Sequence, residues 1–430
     1  MKAKFILLLS IIGILFPNEF ISAGGNDFRT MFGARTLALD GLYFAGSDGL
    51  SCSMANPAGL AFMGGREIQA GVIDKLGMQQ FDSPKLGLYR SQREDDLSFG
   101  GGAYWNFNSS LTAAVSYGRV LDYSTSWPFA MLGSDNATIL TFDMYNKFHV
   151  DAIAPTIALN LGRLAIGLTV DIYRVEQSAA YPQGNGQEAA GYGLYAYQFN
   201  IEQKAWAYGF SLGAIEDLSD NLRAGVTIKS GYKANLSGNA TGKMFADVDS
   251  SALQSDISST FQMPWNIGAG IIYQASPGLK INVDMGYSLW KGIQSSIDTK
   301  YSNATWQSGL SHVDSLTGIQ GTSLPLSYKN TFEIGAGIEY AAEDGIILRA
   351  GYRFSQMPNT DATYSFLMPG VNEHSLSVGV GLKGDGYVID AGLVYSYGPS
   401  KSVTKTLYPQ FSGSYSSDSY IPSITIRYSF

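Results

Sequence analysis

The sequence predicts an all-β membrane protein: a 14-stranded antiparallel transmembrane β-barrel with an N-terminal plug, or hatch, inside the lumen. Three observations predict it. The first is alternation. From Thr331 to Tyr340, one face carries Phe332, Ile334, Ala336, Ile338 and Tyr340, and the other Thr331, Glu333, Gly335, Gly337 and Glu339. The next segment sets Ile346, Leu348, Ala350, Tyr352 and Phe354 against Ile347, Arg349, Gly351, Arg353 and Ser355. Successive side chains of a strand point to opposite faces, so one face is apolar and the other small or charged. Charges on the inner face argue against a dry sandwich core. The second is a strict alternation of short and long links, which a soluble sandwich has no reason to show. The third is composition: of 430 residues, 50 are Gly and 27 Tyr, and only 15% are charged. A soluble domain averages about 25% charged. Glycine relieves crowding in a barrel wall, and tyrosine sits at the two membrane interfaces.

The N-terminus reads as a secretory signal peptide over residues 1–23. Lys2 and Lys4 form its charged region, Phe5 to Phe16 its apolar region, and Ala23 a small residue at the cut, giving a mature start at Gly24. The apolar run is too short for a membrane anchor, which needs about 20 residues. Residues 24–65 do not alternate. Their apolar clusters (Met31, Phe32, Leu37, Leu39, Leu42, Phe44) are broken by Gly and Asp, and the stretch has the length of a small hatch. Cys52 is the one cysteine, so no intrachain disulfide forms, and it reads as a small buried apolar residue.

Residues 66–430 supply the barrel. Strands are expected at 66–76, 97–107, 110–121, 149–161, 164–176, 205–216, 221–235, 262–274, 279–290, 327–341, 345–356, 374–384, 387–398 and 420–430, an even number, as bacterial single-chain barrels require. The weakly alternating stretch Lys85 to Arg90 extends the first hairpin rather than adding a strand. Short links fall at Asn108-Ser109, Gly162-Arg163, Asp217 to Asp220, Ser276 to Gly278, Ala342 to Asp344 and Gly384 to Gly386. Between them lie long loops at 122–148, 177–204, 236–261, 291–326, 357–373 and 399–419. Short turns belong to the periplasmic side and long loops to the cell exterior. Both chain ends then lie on the periplasmic side, and the hatch enters the lumen from below. Pro128, Phe129, Met131 and Leu132 form an apolar loop cluster, suited either to capture of a greasy ligand or to packing on other loops or lipopolysaccharide. The final strand, Ile424 to Phe430, ends on a terminal Phe, as bacterial outer-membrane proteins do.

Several function classes fall away. A net charge of −8 gives no footing for nucleic acid. No repeat of fixed period supports a propeller. The histidines His149, His312 and His374 come with no Gly-x-Ser-x-Gly elbow and no metal-spaced cluster, so neither catalysis nor a metal or other cofactor is expected. A hatch-length N-terminal segment speaks against an open diffusion porin.

Three stretches resemble the FadL family of outer-membrane long-chain fatty acid and aromatic-hydrocarbon transporters (OMPP1/FadL/TodX). They are Asn56-Pro57-Ala58-Gly59-Leu60 directly before the first strand; Tyr328 to Tyr340, followed by Leu348 to Arg353 and Pro358; and Met368-Pro369-Gly370 with His374 and Leu376 to Gly381. Pro264-Trp265 before a Gly-rich strand also fits. The resemblance implies passive uptake of a hydrophobic molecule, captured at the extracellular loops, bound in the lumen and released when the hatch moves. Asn56, Pro57 and Ala58 are then the hatch or gate residues. Phe28, Met31 and Phe32 are candidates to line the apolar pocket, and Arg174 and Lys329 to meet a fatty carboxylate. Arg349 and Arg353 point inward and either brace the wall with Glu333 and Glu339 or touch ligand. In the family the ligand leaves sideways beside a kinked third strand. No kink is visible in 110–121, which lacks proline, and Pro155 in the fourth strand is the alternative place for a ladder break. Lateral exit is physically sensible because each CH₂ moved into water costs about 0.8 kcal/mol. Expected partners are the hydrophobic small molecule, outer-membrane lipid and lipopolysaccharide, with the protein a monomer in the bacterial outer membrane. The alternative is a barrel of this type serving as a structural or secretion-system adaptor.

Overall fold

The structure is a computed structural model that describes residues 33–39, 41–46, 49–84, 87–92, 94–132, 139–184, 196–244, 254–303, 322–364, 370–404 and 412–430. The signal segment, Phe28, Met31, Phe32, His312, Met368 and Pro369 lie outside the described residues.

One antiparallel sheet closes on itself as a 14-strand barrel. The wall strands are β1 (Arg66–Ser83), β2 (Glu94–Asn108), β3 (Leu111–Leu132), β4 (Ile139–Asn160), β5 (Leu164–Gly184) and β6 (Ala196–Ser219). β7 is broken into Leu222–Lys229 and Tyr232–Met244, β8 into Gln254–Met263 and Asn266–Ser276, and β9 into Leu279–Ser288 and Ser296–Tyr301. Then come β10 (Thr331–Ala341), β11 (Ile346–Ser355), β12 (Glu373–Lys383), β13 (Tyr387–Val403) and β14 (Gly413–Ser429). β14 pairs with β1 from Glu67/Ser429 to Asp82/Ser414, which closes the ring. Gly87–Arg90 pairs back on Gln80–Ser83 and extends the first hairpin, as its weak alternation suggested.

The alternation places side chains as the sequence pattern predicts. Ile334, Ile338 and Tyr340 are exposed on the outer face of β10, and Glu339 is buried on the inner. Outward apolar residues recur around the ring, among them Phe99 at 64%, Tyr208 at 68% and Leu376 at 59% exposure. A soluble protein seldom leaves so continuous an apolar surface open; a bilayer covers it.

Strand lengths depart from the sequence expectation. β3 runs on to Leu132, and β4 starts at Ile139 rather than 149. β5 continues to Gly184, and β6 starts at Ala196. Pro128 to Leu132 therefore belong to a strand, not to a loop. The expected loop 291–326 likewise holds Ser296–Tyr301, paired with β8. Outside the bilayer, a strand has no lipid to face. Its outer residues need not be apolar, the alternation fades, and the extension reads as loop.

The bore is occupied. Helix α1 (Ala34–Leu39) packs against β10 to β14, and a 3₁₀ helix (Pro57–Phe62), reached through the short α2 (Cys52–Ala55), packs against β3 to β6. One short segment thus touches opposite sides of the ring. Nearly all of its described side chains are buried, Cys52 among them.

Candidate functional site

The segment inside the bore is held by its own polar groups and by those of the wall. Asn56 is the hub. Its Nδ2 donates to the carbonyls of Phe44 (2.7 Å), Ala214 (3.3 Å) and Val226 (3.1 Å), and its Oδ1 accepts from the N–H of Ala58 at 3.1 Å. An amide serves here because it both donates and accepts, and Pro57 fits behind it because the first helical position has no use for an N–H. The wall makes room: a Cβ on Gly213 would stand 1.9 Å from Asn56 Oδ1, and one on Gly167 2.4 Å from the Ala58 nitrogen.

The other end is tied by charge. Arg35 makes two 2.7 Å bonds to the Glu339 carboxylate. Glu339 also accepts from Arg349 Nε at 2.7 Å, Arg349 Nη1 donates to Asp390 at 2.7 Å, and Arg427 reaches Asp390 at 3.2 Å. Each buried charge faces an opposite one, which offsets its desolvation. Backbone groups add Ala34 N–H to Thr425 Oγ1 at 2.9 Å and Phe44 N–H to Asp284 Oδ1 at 2.6 Å.

Between segment and wall lies a cavity of about 100 Å³. Leu42, Phe44, Met54, Tyr173, Tyr232, Met263 and Ile267 make it mainly apolar. Val120 and Leu121 of β3 line it too, and Lys229 and Glu333 carry its charges. Lys229 Nζ lies 3.7 Å from Asp171 Oδ1. A smaller cavity of about 30 Å³ shares Leu121 and Met263 and continues toward Phe148, Phe261 and Trp290. Above it, Tyr328 packs edge-on against Trp290 at 5.1 Å, and burial pushes its phenol well above the usual range, so it stays neutral.

The wall beside the cavity is interrupted. The β2–β3 ladder ends at Gly101/Tyr117. Beyond that point β2 pairs only with β1, and β3 only with β4. The chain just before β2 meets β3 again where the Gln92 N–H donates to the Ser126 carbonyl at 2.6 Å. At the same place β3 carries a bulge: its register against β4 shifts between Arg119 and Leu121. Val120, the extra residue, bends the strand. Pro155 also interrupts its ladder, the β4–β5 pairing lapsing between Ile153/Ile172 and Thr156/Thr169.

The candidate residues fall as follows. Asn56, Pro57 and Ala58 sit together at the junction of the inner segment with β5, β6 and β7. Arg174 does not reach the cavity; it lies on the face opposite buried Tyr173, paired with Glu176 at 2.6 Å and over the Trp206 ring at 5.4 Å. Lys329 is exposed, outside the cavity. Arg349 belongs to the wall network, and Arg353 faces Glu333 at 3.5 Å. Lys229 was not singled out from the sequence, although Val226 and Ile228 facing outward imply that Thr227 and Lys229 face inward. Cavity-lining Tyr173, Tyr232 and Met263 were missed because they meet only across strands: Met263 is the cross-strand partner of Tyr232, whose ring stacks on Tyr173 at 4.1 Å.

The family model for outer membrane protein transport proteins (OMPP1/FadL/TodX) matches residues 38–430. Solved structures of the same shape include a Pseudomonas aeruginosa FadL homologue, with 15% identity over 96% of this chain and 99% of that one and a TM-score of 0.74. The Pseudomonas putida toluene transporter TodX has 16% identity over 96% and 100% of the two chains, with a TM-score of 0.72. The Ralstonia pickettii toluene transporter TbuX has 18% identity over 93% and 98%, with a TM-score of 0.68. No curated relative matches the sequence.

Proposed function

The chain belongs to the OMPP1/FadL/TodX family of bacterial outer-membrane β-barrel proteins, and from that premise we propose that it passes small hydrophobic molecules inward across the outer membrane. The ligand enters from the loops, rests in the apolar cavity beneath Trp290 and Tyr328, and leaves sideways between β2 and β3. One observation carries this reading: Val120 and Leu121 line the cavity and also form the bulge where the wall ladder is open. An apolar molecule in the cavity is therefore beside a gap that leads toward lipid, without a step through water at about 0.8 kcal/mol per CH₂.

Cavity size favours a ring-sized ligand. A dry cavity of about 150 Å³ holds benzene, and the two adjacent spaces here, about 100 and 30 Å³, are of that order. The cation in the cavity, Lys229, is matched by Asp171, so a carboxylate gains little there. The relatives TodX and TbuX are described as toluene transporters, in keeping with this size. The segment inside the bore acts as the hatch, with Asn56, Pro57 and Ala58 as its hinge on the wall.

The test compares entry of toluene and of a long-chain fatty acid into cells with and without the gene. Faster toluene entry with the gene supports the proposal. Equal entry of both compounds would count against transport, and stable co-purification with another outer-membrane protein would then favour an adaptor role.

A further inference from the structure

Three ionisable side chains from three neighbouring wall strands converge in the opening between β2 and β3. Carrying the β2–β3 register past Gly101/Tyr117 sets Asp96 opposite Asp122, and the same offset returns at Gln92 and Ser126. Asp122 is itself the cross-strand partner of His149 on β4. Leu97 and Phe99 are exposed on the outer side of β2, so Asp96 is on its inner side. Leu121 and Tyr123 belong to the apolar core of the lumen, so Asp122 is on the outer side of β3. The two carboxylates can meet only because β3 passes inside β2.

Their geometry suits an ion. His149 Nε2 lies 3.2 Å from Asp122 Oδ1 and 3.5 Å from Asp96 Oδ1. One ligand atom from each of the three residues lies within 4.8 Å of the others. A metal with bonds of about 2.0–2.2 Å in a tetrahedron spaces its ligand atoms about 3.4 Å apart. Asp122 is fully buried, and its carboxylate is met by His149 Nε2 at 3.2 Å and by Arg119 at 3.7 Å, neither as a well-formed hydrogen bond. Ion pairs of that geometry offset the desolvation of a buried carboxylate only in part, and a metal ion between the three would offset more.

We propose that Asp96, Asp122 and His149 form a binding site for a divalent transition-metal ion, and that the bound ion ties β2 to β3 and β4 across the opening. Two carboxylates and an imidazole, without thiolate, suit Zn²⁺, Co²⁺ or Mn²⁺ and leave room for water. Two cations stand close. Lys75 Nζ donates to the Asp122 carbonyl at 2.8 Å, and Arg119, bonded to Asp151 at 3.0 Å, lies 3.7 Å from Asp122. Their repulsion makes this an exchangeable site rather than one that the fold requires. An ion here closes the gap beside Val120; that consequence, but not the binding, rests on sideways release.

The experiment uses the full chain in detergent, stripped with a chelator and titrated with Co²⁺. One Co²⁺ per chain is expected, displaced by Zn²⁺, with affinity lowered more than about 10-fold in His149→Gln and in Asp96→Asn, since loss of even an outer-shell partner costs about 10–100-fold. Heat-modifiable mobility on gels checks that both variants fold. Absence of saturable binding, or equal affinity in native protein and folded variants, overturns the site. Hydrogen exchange at residues 94–100 and 118–125 is expected to slow with Zn²⁺ in the native chain only; unchanged exchange overturns the tie. Binding with slowed exchange but unaltered toluene entry would uphold the metal site and tell against sideways release.

Discussion

Asn56 shows how much rests on a single side chain. Its amide answers three carbonyls and one N–H, drawn from the inner segment and two wall strands. Asn56→Ala leaves these groups unsatisfied and is expected to cost about 1–3 kcal/mol, seen as raised ion conductance in planar bilayers when the segment loosens. Asn56→Asp should behave alike, since a carboxylate cannot donate; unchanged conductance in both would show that Asn56 does not hold the segment. Arg35→Ala removes one partner from a buried pair, which typically costs about 3–5 kcal/mol, and should lower the temperature of heat-modified migration. At this scale legibility was uneven. Asn56-Pro57-Ala58 was visible as a short local pattern before the first strand. Asp96, Asp122 and His149 were invisible as a group because three strands in a row bring them together, and no spacing along the chain encodes that.

The strands explain what periodicity can and cannot show. Inside the bilayer the outer face must be apolar, so β10 and β11 were legible residue by residue, down to Arg349 and Arg353 facing the lumen. A basic residue on the lipid face is the direct check. Leu376→Arg on β12, where Leu376 is 59% exposed, should destabilise the barrel by up to about 2–4 kcal/mol in denaturant titrations in lipid. Ser377→Ala, on the inner face, loses one hydrogen bond to the Ala38 carbonyl and should cost only about 0.5–1.5 kcal/mol; equal costs would contradict the assignment of faces. The third strand's expected end at residue 121 also falls on its bulge, which shifts the two-residue period by one just where the lipid-facing pattern fades. Before Val120, Ala114 and Ser116 face in; after it, Leu121 and Tyr123 do. The break therefore coincided with the feature that matters most for release, and no proline marked it.

For the whole molecule, fold and location followed from features spread over the chain: alternation, link lengths and low charge. The site did not, because the cavity is assembled from β3, β5, β7, β8, β9, β10 and the inner segment at once. Ligand class likewise depends on cavity size, a property of the closed ring. The central claim is that cavity and wall opening form one path through the bulge of β3. The most direct measurement is toluene entry into cells carrying a chain from which Val120 has been deleted, which gives β3 a single register against β4. With folding confirmed by heat-modifiable mobility, entry is expected to fall to the level of cells without the gene; entry at the native rate would contradict the path.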